Sequence, residues 1–225
     1  MDHDAAWIAL LHVSGSSFPT GGFAHSFGLE TYVSDARVSS GHDLLNYVQT
    51  MLCCSLGTLD APCVALAYKY SGEELSRLDQ LLTAYRPAVE LRRANQRMGR
   101  AFLRAFREMY PGTELDAYQG TLAETSGGNY AVIFGKACAI MGIAREFAVS
   151  GFLFNSLNNL IQAGIKLIPL GPSEGHAILF SLYEAVAATA QRALRMNEEE
   201  LGSFVPALDI ASMKHERLYT RLYMS

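Results

Sequence analysis

Charge is scarce in this 225-residue chain. Lys and Arg number 18 and Asp and Glu 22, together 18% of residues, where about 25% is usual. The balance of −4 and a pI near 5.9 argue against a general nucleic-acid binder, which is usually basic. Cysteine is scarce too. Cys53, Cys54, Cys63 and Cys138 form no CxxC pair, so they offer neither a zinc knuckle nor a redox dithiol and read as small, reduced core residues. No repeat or low-complexity linker divides the chain. The start carries Asp2 and Asp4 and lacks the basic-then-apolar order of a signal peptide, so a cytoplasmic protein is expected. The most apolar stretch, Tyr130 to Ala144, contains Lys136 and is shorter than the roughly 20 residues of a membrane span, so no membrane association is expected.

Apolar residues are plentiful, at 50% with mean hydropathy +0.11. That supports a large core and leaves apolar surface for a partner to cover. The spacing is helical. Leu44, Val48, Met51, Leu52, Ser55 and Leu59 share one face, as do Leu75, Leu78, Leu81, Leu82 and Tyr85. Pro87 opens a long helix that buries Leu91, Ala94, Met98, Ala101, Phe102, Ala105 and Met109 and stops at Pro111-Gly112. Tyr130 to Ala144 is apolar all round, as suits a central helix. Helix continues from Ala148 to Ile168. Ser173 is placed to cap one further helix that buries Ile178, Leu182, Val186, Thr189, Ala193 and Met196. The expected fold is all-α: one domain over residues 1–225, a helical bundle of about 8–10 helices.

Motifs for chemistry fail in turn. Ala24-His25-Ser26-Phe27-Gly28 has the form of a nucleophile elbow, which would make Ser26 the nucleophile of a small serine hydrolase. An elbow needs a strand before it, and Pro19 to Gly22 cannot be one. Ser26 reads better as the cap of a helix from Phe27 to Val33. Gly135-Lys136 lacks the glycines and hydroxyl of a phosphate loop. His215-Glu216 has no second histidine four residues on, and the six histidines are scattered. No catalytic residue, metal site or cofactor is therefore expected.

Two segments do not read as bundle filler. The loop at about 14–25 carries Phe18, Pro19, Gly21, Gly22 and Phe23, aromatics of exposed type beside flexible glycines. The tail at about 211–225 is dense in Tyr, Arg and Met, the residues enriched at interface centres. It is expected to be partly disordered without a partner. Between them, Arg93, Arg97, Arg100, Arg104 and Arg107 form a stripe that is either a solvated face or a docking strip for an acidic partner.

Four stretches together resemble the UreF family of urease accessory proteins. They are Pro19 to Tyr32 (PTGGFAHSFGLETY), Leu91 to Gly99 (LRRANQRMG), Ala163 to Gly175 with its KLIPLG core, and the ending from His215-Glu216 to Arg221-Leu222-Tyr223-Met224-Ser225. Pro172, Thr220 and Asn129 stand where the family often has Gln, Ser and His. The resemblance implies an all-α homodimer that is no enzyme. It implies UreD (also called UreH) as partner, recruitment of the GTPase UreG to apo-urease subunits, and nickel delivery there. Carried over by position, the partner-binding residues would be Phe18, Pro19, Gly21, Gly22, Phe23, His25, Ser26, Glu30, Lys166, Arg217, Tyr219, Arg221, Leu222, Tyr223 and Ser225.

Overall fold

A computed structural model describes residues 3–15, 17–124, 127–219 and 221–224, without the side chains of residues 3, 123 and 124. Among the described residues the chain is all-α, with eleven helices and no strand. They are α1 His3–Ser14, α2 Leu29–Ser34, α3 Gly41–Ala67, α4 Gly72–Ala84, α5 Val89–Met109, α6 Glu114–Glu124, α7 Tyr130–Ile140, α8 Arg145–Leu167, α9 Pro172–Ser181, α10 Tyr183–Ala193 and α11 Pro206–His215.

The core is organised around α7. Every residue from Tyr130 to Cys138 is buried, and α7 packs against the end of α3, α5 and α8. Phe102, Tyr130, Phe134 and Phe152 interlock there, with ring centroids 5.6–5.8 Å apart. Lys136 is buried on α7 but reaches Glu114 at 2.7 Å. Gly135 allows the close crossing: a Cβ there would strike the Val64 backbone of α3.

Several expectations are corrected. The helix after Pro87 begins at Val89, and Met109 at its end is 39% exposed while Ala101 and Ala105 are half-buried. Pro172 takes the first position of α9, so Gly171 and not Ser173 precedes it. The single helix expected beyond Ser173 is two, broken at Leu182, where Ser181 Oγ donates to Ile178 O at 2.7 Å and competes with the backbone ladder. Cys63 and Cys138 are buried as expected, but Cys53 and Cys54 are exposed, because they fall on a π-helical stretch, Leu52–Asp60, within α3. That stretch fuses Gly41–Ala67 into 27 residues long and apolar enough, by length and composition, to cross a bilayer. Its apolar window is 72% buried inside the fold, as in a core helix.

Two of the motifs have structural explanations. In LRRANQRMG, Asn95 Oδ1 accepts the Tyr130 N–H at 2.8 Å at the start of α7, and Gly99 lets α5 touch the backbone of Gly128 and Asn129. In the KLIPLG region, Gly164 meets Leu44 of α3 and Gly175 meets Ile165 of α8.

Candidate functional site

The loop turns sharply after α1 and sorts its residues inward and outward. Phe18 N–H bonds to Gly15 O at 3.0 Å, and this turn drives the Phe18 ring to within 5.0 Å of Phe102. Phe18 is 4% exposed and belongs to the core, a correction to its reading as a docking aromatic. Pro19 is exposed. Gly21 takes a left-handed φ of 73°, which a side chain would resist. Gly22 is buried against Met98. The short 3₁₀ turn Gly22–Ala24 then projects Phe23, which is 63% exposed.

His25 and Ser26 point inward, at 3% and 0% exposure. The helix starts at Leu29 and not at Phe27, because Gly28 adopts φ 89° before it. Gly28 and not Ser26 is therefore the cap; Ser26 O accepts Leu29 N–H at 3.1 Å and its Oγ accepts Glu30 N–H at 3.4 Å from one turn before. The hydroxyl is enclosed within the fold.

The tail comes back to the same place. Beyond α11 it reaches α2, where Leu222 and Tyr223 donate their N–H groups to Glu30 at 2.7 and 3.1 Å, and Met224 N–H donates to Ala24 O at 2.8 Å. The residues 221–224 expected to be loose are thus bound to the body. Tyr223 is buried, whereas Arg217, Tyr219, Arg221, Leu222 and Met224 face outward. Ser225 lies outside the described residues.

His215 is the centre of this junction. It is fully buried, with Nε2 2.9 Å from Glu30 and Nδ1 3.0 Å from Glu90. Glu30 also accepts two backbone N–H groups, and Glu90 faces Arg221 at 3.6 Å. Each ring nitrogen of His215 therefore has a glutamate side chain as its neighbour. Glu30, expected to touch a partner, instead spends its oxygens on its own tail. The roles of Glu90 and His215 escaped sequence reasoning, because nothing local announces a bridge between three helices.

Lys166 is exposed near the end of α8. Among the described residues it makes no hydrogen bond or ion pair to loop or tail, so it is a separate feature. Nor do three His, Cys, Asp or Glu side chains gather there into a group able to hold a metal.

His25 supplies a pH test. Burial, then the positive charge of Arg97, lowers its pKa from 6.5 to about 4. As pH falls through 6.5 the unfolded chain takes up this proton and the folded chain does not. The contribution is therefore complete above pH 6.5 and lost on the way down to about 4, by about 3 kcal/mol at most. Thermal melts at pH 7 and 4.5 should differ less for His25→Gln than for the unaltered chain; an equal difference would discount His25.

Comparison with known proteins gives the family. The family model for UreF matches residues 38–183. Proteins named urease accessory protein UreF align along nearly their whole length. That of Haemophilus influenzae (strain PittEE) is 37% identical over 96% of this chain and 94% of its own. That of Corynebacterium glutamicum (strain R) is 34% identical over 100% of both. That of Paenarthrobacter aurescens (strain TC1) is 32% identical over 97% of both. These alignments take in the helical core together with the loop and tail that Glu30 and His215 join, and the chain belongs to the UreF family.

Proposed function

We propose that this chain serves urease maturation by holding other proteins in place and makes or breaks no bond itself. With UreD/UreH it recruits the GTPase UreG to apo-urease subunits in the cytoplasm and supports nickel insertion there; nickel is cargo, and neither nucleic acid nor membrane is a partner. The observation that supports this most directly is that loop and tail form one face. Pro19, Phe23, Arg217, Tyr219, Arg221 and Leu222 would touch partners. Gly21, Gly22, His25, Ser26, Glu30 and Tyr223 would act by fixing that face, and Lys166 would meet UreG separately. Rigid aromatic anchors beside an arginine fork are the usual composition of an interface hot spot.

Co-expression with UreD/UreH and UreG followed by size-exclusion chromatography tests the reading. One co-eluting complex is expected, with UreG lost in Arg221→Ala. Separate elution of all partners would reject it.

Homodimer formation is part of the proposal. Its support is a band of exposed rings along α1, α8, α9 and α10: Trp7, Phe147, Phe154, Phe180 and Tyr183, 40–70% exposed and in edge contact at 5.3–6.1 Å. They flank a groove of about 570 Å³. An apolar patch of this kind marks a protein interface, and a second copy would bring an equally apolar one. Phe154→Arg should halve the mass seen by light scattering while leaving the helical circular dichroism intact; an unchanged mass would move the dimer elsewhere.

A further inference from the structure

We propose that the hollow between α5, the loop and the tail is a carboxylate pocket, which takes one Asp or Glu side chain from a partner protein. The inference rests on the docking reading above and adds the chemistry of one contact. The hollow measures about 390 Å³, and Arg93, Arg97 and Arg221 line it.

The arginine stripe of α5 divides into two groups. Arg107 pairs with Asp116 and Gln119, and Arg100 donates to Gly127 O at 3.0 Å. These serve the chain's own fold. Arg93 and Arg97 are exposed and make no hydrogen bond or ion pair among the described residues. Arg221 comes no nearer to Glu90 than 3.6 Å. Three guanidinium groups from two distant segments therefore share one cavity with donors to spare, and forked donors match a carboxylate.

The charge balance selects the ligand. Glu90 and Glu216 also line the hollow, and His25 there is neutral above about pH 4. The lining then holds one positive charge in excess, enough for one carboxylate. A phosphate dianion or an RNA backbone would overfill it and meet two carboxylates. The chain's net charge of −4 opposes polyanions further. Met224 lines the cavity, and Phe23 projects two residues before His25. The occupant is thus an acidic residue with an apolar neighbour.

The test uses the full chain carrying Arg93→Ala and Arg97→Ala together, with capture of UreD/UreH and of UreG measured across a salt series. One partner should bind at least about tenfold more weakly, with a flatter salt dependence. Arg104→Ala, on the same helix outside the cavity, should bind normally, and Arg97→Lys should recover part of the loss. An acidic-to-arginine change in that partner should rescue Arg97→Glu. Equal capture by the double variant at every salt concentration overturns the pocket and leaves the docking reading standing. Failure of the unaltered chain to capture either partner overturns the docking reading itself. Retention of tRNA by the unaltered chain, lost in the double variant, would assign the pocket to phosphate and overturn the carboxylate.

Discussion

Replacing Asp79 with alanine is expected to lower the melting temperature by about 10 °C, from a loss of about 3–4 kcal/mol in a chain of this size. Asp79 is on α4 and 1% exposed. It accepts from Tyr118 OH at 2.5 Å, from the Gly128 N–H, and from Asn129 through its N–H at 2.9 Å and its Nδ2 at 2.6 Å. Burial, then the Asp79 charge, pushes the Tyr118 hydroxyl well above its usual range, so it stays a donor at any working pH. Alanine would leave these donors enclosed without an acceptor, and enclosed unpaired donors are costly. The turn they fix leads directly into α7, around which the core is built. Asp79→Asn keeps one acceptor oxygen but turns an amide toward groups that already donate, and should fall between. Melts followed at 222 nm decide it: a shift under about 2 °C for Asp79→Ala would mean that water replaces the carboxylate.

The same turn shows what a sequence tells and what it withholds. Apolar spacing located the helices because burial on one face repeats every 3.6 residues. The all-α fold, the central Tyr130 helix and the stop at Pro111-Gly112 follow from that. Spacing says nothing of where Ser181 will bond back and break a helix, nor that Leu52–Asp60 widens into a π turn and rotates Cys53 and Cys54 outward. It gave α5 an arginine stripe without showing that Arg107 and Arg100 are occupied by α6 and the Gly127 turn. The loop and tail were legible as unusual segments from their residue types. Their sorting was not, since Phe18, Ser26, Glu30 and Tyr223 turn inward through contacts across the whole chain. The bonds from Glu30 to His215, Leu222 and Tyr223 span 185, 192 and 193 positions. No local pattern encodes such a pairing.

Glu30→Ala should free the tail and abolish partner capture without altering any exposed residue of the face. Glu30 holds the buried His215 ring and two tail N–H groups, and leaving enclosed polar groups unpaired costs about 1–3 kcal/mol each. The chain has a cheaper response than global unfolding. Residues 221–224 can leave the body and solvate their own donors, because opening one segment exposes little apolar surface. His215 is then held by Glu90 alone, and its Nε2 is left without its partner. The expected signature is a melting temperature lowered by only a few degrees, together with fast amide exchange at Leu222 and Tyr223 and rapid tryptic cleavage after Arg217 and Arg221. His215→Gln should act in the same direction more weakly, since the tail N–H groups keep Glu30. If Glu30→Ala releases the tail and UreG capture survives, the face works without being joined, and the residues on loop and tail bind independently. If capture fails while exchange at Leu222 stays slow, Glu30 acts by some route other than the tail. Loss of both together is the outcome that ties the buried junction to the work of the exposed face.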